Sequence, residues 1–259
     1  MPEQNIYDNQ AFFDGYKALR SNPSAANILV EKPALFSLCP DFKGKTVLDL
    51  GCGYGENCRE FSRRGALKVL GIDISEKMLE VAQTENASES VSFLQMSMNS
   101  LFRLEGSFDV VLSSLAVHYI EDFDGVLASI HRLLHEDGLF IFSQEHPFTT
   151  ALKSNDYWSR DERGDIAHYN LTDYSSLGER RTTWIVDNVM KYHRSFSAIF
   201  NALSGAGFFV EKVLEPLPDE AVMEQYPAYK KYWHKPDFLL IRARKADRLP
   251  SQMTGALLK

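Results

Sequence analysis

Cysteine is scarce in this chain of 259 residues, which contains only Cys39, Cys52 and Cys58. These three form no complete set of pairs and no C-x-x-C metal motif, which excludes a small scaffold held together by disulfides or zinc. Free thiols are typical of a reducing compartment. We therefore expect a cytoplasmic protein, and its length permits a sizeable buried core.

Long apolar runs and an excess of positive charge are also missing. No stretch approaches the ~20 apolar residues that span a bilayer, and the N-terminus lacks the basic and apolar regions of a signal peptide. The net charge is −7, from 28 Lys and Arg against 35 Asp and Glu. Without a cluster of basic and aromatic residues, we expect neither a membrane nor a nucleic acid among its partners.

The short motifs of several enzyme classes are absent as well. The sequence has no G-x-S-x-G nucleophile elbow and no P-loop, so serine hydrolysis and nucleoside-triphosphate chemistry have no basis in it. Its histidines and acids near the predicted strand ends are scattered rather than set at metal-ligand spacing. We expect no metal site.

What the sequence does contain is a regular alternation of strand-like and helix-like segments. Apolar runs predict strands at residues 46–50, 68–73, 91–95, 108–113, 138–145, 208–214 and 237–244. Amphipathic runs predict covering helices at residues 56–64, 75–86, 123–134 and 195–206. This alternation indicates an α/β fold with a mostly parallel sheet, whose ligands bind at the carboxyl ends of the strands.

Glycines recur at every second position directly after the first predicted strand, at Gly51, Gly53 and Gly55. Glycine adopts positive φ angles and lets a ligand approach the backbone where a Cβ would collide. Asp73 ends the next apolar run, where its carboxylate is placed to accept hydrogen bonds from ribose hydroxyls. The pattern predicts a nucleoside lying across the ends of two strands.

The spacing of these glycines disfavours a nicotinamide dinucleotide. The dinucleotide fingerprint is G-x-G-x-x-G, whereas here the third glycine comes one position early and Glu56 stands in its place. A carboxylate at that point opposes a pyrophosphate but tolerates a cationic ligand. We therefore expect an adenosine-containing ligand without phosphates.

Three segments together resemble the class I, Rossmann-like, S-adenosylmethionine-dependent methyltransferases. Val47–Gly55 is similar to their first motif, Gly71–Ser75 to their second, and Ser107–Ser113 to the strand that lines the cofactor from the other side. The likeness covers residues 45–142. It implies a three-layer α/β/α sandwich with a seven-stranded sheet whose last strand is antiparallel. It also implies S-adenosyl-L-methionine as cofactor, S-adenosyl-L-homocysteine as product, and in-line methyl transfer to a small molecule.

The resemblance implies a set of cofactor-binding residues. Asp49 would support the loop and the cofactor's amino group, and Asp73 would hold the ribose. Cys52 is expected as a small residue beneath the cofactor rather than as a nucleophile. The full set expected at the cofactor is Tyr16, Arg20, Asp49, Gly51, Cys52, Gly53, Asp73, Ile74, Met78, Ser97, Met98, Ser113 and Leu115.

Contacts with the adenine leave alternatives open. The resemblance places Ile74 and Met78 against one face of the ring. Many relatives carry an Asp after the third strand to hold the adenine amino group, whereas this chain has Ser97 there. Ser97, Asn99 and the backbone of Met98 remain alternatives for that contact.

Residues 1–44 form an extension ahead of a methyltransferase domain at residues 45–245, with a tail at 246–259. The extension contains an aromatic stripe at helical spacing, so we expect a helical lid; an amphipathic helix merely packed on the core would show the same stripe. We expect Tyr16 and Arg20 near the methionine end, because an arginine binds a carboxylate through two hydrogen bonds.

Residues 144–192 form a long insertion after the fifth strand. Insertions of this length in compact domains are usually functional. The segment is rich in large rings, namely His146, Phe148, Tyr157, Trp158, His168, Tyr169, Tyr174, Trp184 and Tyr192. We expect it to cover the substrate, although most of these rings could equally form a satellite core.

A proton acceptor is optional for methyl transfer, and three residues near the strand ends are candidates: His118, Glu145 and His146. Pro147 biases His146 toward an extended backbone, from which its ring could point into the cleft. A half-buried structural histidine is an equally good interpretation of His118. His193 is a further candidate that could instead organise the helix after it.

Two other functions stay open from the sequence. One is a protein or RNA methyltransferase, which needs an open cleft or a basic rim. The other is a non-catalytic module that binds the cofactor and regulates a partner. A monomer and a homodimer are both compatible with the composition.

Overall fold

A computed structural model describes residues 3–154 and 156–246 of the chain. Its strands are β1 (Thr46–Leu50), β2 (Lys68–Asp73), β3 (Val91–Gln95), β4 (Phe108–Ser114), β5 (Leu134–Glu145), β6 (Trp158–Arg160), β7 (Ile166–Tyr169), β8 (Gly178–Trp184), β9 (Val186–His193), β10 (Phe208–Leu214) and β11 (Phe238–Lys245). Seven of them form one sheet in the order β10-β11-β5-β4-β1-β2-β3. Only β11 runs antiparallel to its neighbours in that sheet, which confirms the predicted fold.

The helices are α1 (Gln10–Arg20), α2 (Lys32–Leu38), α3 (Glu56–Arg63), α4 (Glu76–Glu85), α5 (Phe123–Leu133), α6 (Pro147–Ala151), α7 (Phe196–Gly205) and α8 (Glu220–Gln225). The covering helices α4, α5 and α7 begin at a residue whose side chain accepts a hydrogen bond from the first turn. Ser75 accepts from the Met78 amide at 3.1 Å and Asp122 accepts from the Gly125 amide at 2.9 Å. Such N-caps satisfy amides that have no partner within the helix.

The sheet is covered on both faces. Leu48, Leu50 and Phe140 belong to the core on one face, together with residues of α5 and α7. Val47 and Ile141 belong to the core on the other face, together with residues of α2 and α3. Neighbouring residues of one strand therefore point into different cores, as expected for a parallel sheet buried between two helical layers.

Strand β5 is longer than its sequence pattern predicts. It begins at Leu134 rather than at Gly138, because Leu134 pairs with Phe108 before a register shift, and regular pairing with β4 resumes at Leu139. Asp137 has a φ of 60° inside this irregular stretch. The turn residues there mark a bulge within the strand rather than its start.

Two additions surround the sheet. The N-terminal one contains a single turn at Ile6–Asp8, helix α1, and a π-helix at Asn27–Glu31 that continues into α2. The insertion after β5 contains α6 and two hairpins, β6–β7 and β8–β9, each of two strands. The tail expected at 246–259 lies, apart from Ala246, outside the described residues. No helix in the described ranges is both long and apolar enough to cross a membrane.

Candidate active site

A cavity of about 550 Å³ lies at the carboxyl ends of the central strands. Its walls include Gly51 after β1, Asp73 at the end of β2, Ser114 at the end of β4 and Glu145 at the end of β5. This is the edge at which open α/β sheets bind ligands. The N-terminal addition, the segments after β3 and β4, and the β8–β9 hairpin contribute further residues to the wall.

The glycine loop has the geometry that its sequence predicts. Gly51, Gly53 and Gly55 have φ angles of 68°, 54° and 75°. A Cβ at Gly51 would lie 2.6 Å from the Ala116 Cβ, whereas one at Gly53 would meet nothing within 4 Å. Gly51 is therefore required by close packing as well as by its backbone angle, and the backbone at Gly53 stays accessible from the cavity.

Asp73 is held by two backbone amides. Its Oδ2 accepts from the Gly53 amide at 2.8 Å and its Oδ1 from the Ser75 amide at 2.9 Å. Burial raises the pKa of Asp73, although the bonds from Ser75 and Gly53 act in the opposite direction. Because each carboxylate oxygen has a second lone pair, both can still accept a hydrogen bond from a ligand hydroxyl.

Ten of the thirteen expected cofactor residues line this cavity. They are Tyr16, Arg20, Gly51, Cys52, Gly53, Asp73, Ile74, Met78, Met98 and Leu115. They come from α1, the glycine loop, the β2–α4 junction, the segment after β3 and the turn after β4. The fold thus brings together most of a set that is dispersed along the sequence.

Asp49, Ser97 and Ser113 lie outside the cavity wall. Asp49 is buried beneath the loop, accepts from the Cys58 thiol at 3.3 Å through Oδ2, and has no partner for Oδ1 among the described residues. Burial raises the pKa of Asp49 to about 7. The Ser113 hydroxyl donates to the Leu50 carbonyl at 2.9 Å, so it links β4 to β1.

The adenine alternatives are separated by position. The Ser97 hydroxyl is exposed, donates to Glu3 and accepts from the Asn99 amide as the cap of a short helix. Met98 and Asn99 line the cavity, whereas Ser97 does not. Of the three alternatives, Met98 and Asn99 can therefore reach a ligand directly.

The N-terminal addition is anchored on both sides of the cavity. Asp8 accepts from the Ser75 hydroxyl at 2.6 Å and from the Lys77 amide at 3.2 Å, at the start of α4. Gln4 donates to the Asn188 carbonyl at 2.9 Å and accepts from the Met190 amide at 2.8 Å, on β9. This segment therefore spans from the cofactor strands to the insertion.

Arg20 and Tyr16 extend from α1 over the glycine loop. The Tyr16 and Tyr54 rings have centroids 6.0 Å apart, and Arg20 forms an ion pair with Glu56. Lys32 also lies near Glu56, with Nζ 3.4 Å from Oε2. Both cationic side chains share one carboxylate at the cavity wall.

The aromatic residues of the insertion divide into two groups. Trp184 and Tyr192 line the cavity, and the Trp184 ring lies 5.3 Å from Phe12 of α1 between centroids. The other rings are absent from the cavity wall; apart from the exposed His168, they pack among themselves or with nearby side chains, as Phe148 does with Tyr174 at 5.9 Å. The larger group fits the interpretation as a satellite core. Trp184 and Tyr192, which form the smaller group, are placed where they can contact a ligand.

His118 and Glu145 line the cavity. His118 is 3% exposed, and its Nδ1 has no partner among the described residues. Burial lowers the pKa of His118 to about 4, so the ring is neutral at neutral pH. Burial would raise the pKa of Glu145, but Lys191, with Nζ 2.5 Å from Oε1, brings it below its usual value.

His146 and His193 lie away from the cavity. The His146 Nδ1 accepts from the Phe148 amide at 3.1 Å and caps α6, while its Nε2 lies 2.7 Å from Glu215. His193 contacts the Thr150 hydroxyl at 2.9 Å and the Tyr174 carbonyl at 2.8 Å. Each nitrogen of both rings has a partner within the protein, and neither ring faces the cavity.

Sequence reasoning missed two charged residues of this region, Glu31 and Lys191. Glu31 is 2% exposed and lines the cavity, and Lys191 is 6% exposed and pairs with Glu145. The only signal for Glu31 is a lone acid directly after the apolar run Ile28–Val30. A single acid after such a run has no specific meaning without the fold.

A family model and a solved structure both match methyltransferases, the first over part of the chain and the second over most of it. The methyltransferase domain family matches residues 48–142. A solved S-adenosylmethionine-dependent methyltransferase from Mesorhizobium loti is 34% identical, with a TM-score of 0.77, and the match covers 87% of this chain and 99% of that chain.

Two further relatives match over nearly their whole length. A solved structure from Listeria monocytogenes, assigned to the S-adenosylmethionine-dependent methyltransferases, is 37% identical with a TM-score of 0.78, covering 84% of this chain and 97% of its own. A Haemophilus influenzae protein whose function is not named is 39% identical over 251 residues, 94% of this chain and 98% of its own.

Proposed function

Because this chain belongs to the S-adenosylmethionine-dependent methyltransferases and uses S-adenosylmethionine as its cofactor, we propose that it methylates a small molecule bound beside that cofactor. The observation that carries the proposal is the packing of aromatic side chains from the insertion against those of α1 at the cavity. Trp184 of the insertion contacts Phe12 and Tyr16 of α1, with ring centroids 5.3 and 6.1 Å apart. A site covered from both sides suits a small acceptor better than a polymer.

The residues of the cavity fit S-adenosylmethionine. Asp73 retains acceptor capacity for two ribose hydroxyls, and the open backbone at Gly53 provides the close approach that a nucleoside needs. The adenine would lie against Ile74, Met78 and Met98. Tyr16 and Arg20 would contact the methionine part, while Asp49 and Ser113 would support the loop from below.

The main chemical task of the protein is positioning. When bound, S-adenosylmethionine supplies a methyl group on a positively charged sulfur. In-line displacement then requires that the acceptor be held behind that methyl group and that water be excluded, and correct positioning alone provides about 7–11 kcal/mol in favourable cases. We assign the exclusion of water to the N-terminal extension at 1–44 as a lid and to the insertion at 144–192 as the cover.

His118 and Glu145 would orient the acceptor. A neutral His118 ring with an unpartnered Nδ1 can accept a hydrogen bond, and a proton, from an acceptor hydroxyl or amine. Because its pKa is low, it stabilises the developing charge less than a typical general base does. Trp184 and Tyr192 would provide the apolar surface of the acceptor site.

The charge of the cavity supports the same conclusion. Among the described residues that line it, the carboxylates outnumber the cationic side chains, which are Arg20 and Lys32. The acids are Glu3, Glu31, Glu56, Asp73, Glu121, Glu145 and Glu179. Such a lining repels a polyanion such as RNA and suits a neutral or cationic small molecule.

The test uses S-adenosylmethionine with an isotopically labelled methyl group and three fractions of a cell extract: small metabolites, RNA and protein. We expect label to enter the metabolite fraction, and expect Asp73→Ala to abolish this transfer. Label in RNA or protein would contradict the proposal. Binding of the cofactor without transfer to any fraction would favour a regulatory module instead.

A further inference from the structure

Glu31 is a buried acid without a cationic partner. It ends the π-helix Asn27–Glu31 and lines the cavity although only 2% of its surface is exposed. Within residues 3–154 and 156–246, no Lys, Arg or His forms an ion pair with its carboxylate. Buried charges in proteins are normally paired, so this side chain needs an explanation.

Two serine hydroxyls hold one of its oxygens. Ser114 Oγ donates to Glu31 Oε1 at 2.9 Å, and Ser143 Oγ donates to the same atom. The Ser143 oxygen also accepts from the Leu115 amide at 3.0 Å, so its single proton is directed at Glu31. No described residue donates to Oε2, which leaves that oxygen available to a ligand.

The backbone around this carboxylate has two uncommon features. Leu115 has a φ of 53°, a conformation that a bulky side chain rarely adopts, and Glu31 itself belongs to a π-helix. Both features are found preferentially at functional sites. Ser114 ends β4 and Ser143 lies near the end of β5, so Glu31 is fixed at the strand ends where ligands bind.

Positive charge lies on another part of the same wall. Arg20 and Lys32 both line the cavity and both face the carboxylate of Glu56. Their charges act on Glu31 in the direction that lowers its pKa, but burial dominates and raises it. The cavity therefore offers an anionic group and cationic groups near one another, which complements a ligand carrying both signs.

We propose that Glu31 binds an alkylammonium group inside the cavity. This rests on the proposed function, since it requires that the cavity hold S-adenosylmethionine and an acceptor. The ammonium group belongs either to the methionine part of the cofactor, with Arg20 near the carboxylate, or to an amine acceptor. In both cases a charge-assisted hydrogen bond to Oε2 would replace the missing ion pair.

The test is Glu31→Gln, measured by calorimetric titration. The glutamine oxygen can still accept from both serines, so the variant removes the charge and keeps the network. If the cofactor carries the ammonium group, S-adenosylhomocysteine should bind about tenfold or more weakly. Binding of 5′-methylthioadenosine, which lacks the amino-acid part, should be unchanged.

A second arm addresses an amine acceptor. With S-adenosylhomocysteine present, propylamine and phenethylamine are titrated against the matched alcohols, 1-propanol and 2-phenylethanol. Loss of amine binding alone in Glu31→Gln would place the ammonium group on the acceptor. If neither arm depends on the Glu31 charge, or if S-adenosylhomocysteine and 5′-methylthioadenosine weaken equally, the proposal is overturned.

Thermal unfolding separates a binding role from a structural one. Removing an unpaired buried charge should leave the melting temperature of the ligand-free protein unchanged or raise it. A lower melting temperature would indicate a structural residue and count against the proposal. The control is Glu80→Gln, which removes an exposed carboxylate of α4 outside the cavity and should change no binding constant.

The two proposals fail in different ways. If the wild-type protein binds no S-adenosylhomocysteine and transfers no methyl group to small molecules, the proposed function is wrong. If the wild type does both and Glu31→Gln is indistinguishable from it in every titration, only the assignment of Glu31 is wrong.

Discussion

The two halves of the cavity wall are built by different means. On the cofactor side, the glycine loop and the end of β2 present backbone, and Asp73 is fixed by the amides of Gly53 and Ser75. On the side proposed for the acceptor, Trp184 and Tyr192 project from a two-stranded hairpin that lies outside the main sheet. Backbone recognition depends on a short local motif, whereas side-chain recognition can change residue by residue. Under the proposed function, the sheet would select the nucleoside part of the cofactor and the insertion would select the acceptor.

The largest effect is expected from Asp73→Ala. Loss of two hydrogen bonds to a charged group should weaken S-adenosylhomocysteine binding about 100-fold or more. Calorimetric titration measures it, with Asp14→Ala on the exposed face of α1 as the control. If the affinity for S-adenosylhomocysteine falls by less than about tenfold, the ribose is not held at the end of β2. The proposed difference between the two halves of the cavity wall would then be wrong.

The pH dependence of stability should have opposite signs in the two halves. In the acceptor half, the pKa of His118 is about 4 in the folded protein, below the value of about 6.5 for an unfolded chain. Below about pH 6.5 the His118 ring binds a proton in the unfolded state but not in the folded state. The contribution of His118 is therefore complete above about pH 6.5 and is lost as the pH falls toward 4, by on the order of 3 kcal/mol.

In the cofactor half, the pKa of Asp49 is about 7 when folded, above the value of about 3.9 when unfolded. Here the folded state retains the proton, so stability falls as the pH rises from about 4 to about 7. Between about pH 4 and 6.5 the two contributions oppose each other. In urea unfolding, the stability of His118→Gln should therefore rise less with pH than that of the wild type, and the stability of Asp49→Asn should rise more. Identical slopes in wild type and variants would contradict both assignments.

A smaller effect is expected from Trp184→Ala, which should impair use of the acceptor rather than binding of the cofactor. The specificity constant kcat/KM for the acceptor should fall about tenfold, while S-adenosylhomocysteine affinity stays within about threefold, because the ring belongs to the cover. Trp158→Ala is the matched control, since Trp158 packs on Tyr169 away from the cavity. An equal loss of cofactor affinity would mean that the two halves are not separable.

The smallest effect is expected from His146→Asn. Asparagine keeps the capping position of α6 but loses the contact with Glu215, so we expect a stability change of about 1 kcal/mol and unchanged kcat/KM. Denaturant unfolding measures the stability change, and initial rates measure kcat/KM. A loss of activity beyond about tenfold would return His146 to the catalytic candidates.

The same contrast explains what the sequence could predict. The strands β1, β2 and β3 have the predicted bounds because apolar, β-branched runs end there in glycines, polar residues or an acid. The loop geometry followed from the spacing of Gly51 and Gly53. These features are local, so the sequence contains them within a few residues.

What escaped prediction depends on contacts between distant segments. The backbone of His146 is extended before Pro147, with a ψ of 143°, as expected, but its ring turns to the Phe148 amide and Glu215. Glu31 acquires its setting only when β4 and β5 bring Ser114 and Ser143 together. Nothing near either residue in the sequence encodes those partners.

The attachment of the N-terminal segment at both sides of the cavity has a kinetic consequence. Gln4 and Asp8 tie this segment to β9 and to the start of α4. Opening the segment would require these hydrogen bonds to break, and closing it would require them to re-form. If product leaves past this segment, an opening slower than methyl transfer would limit turnover.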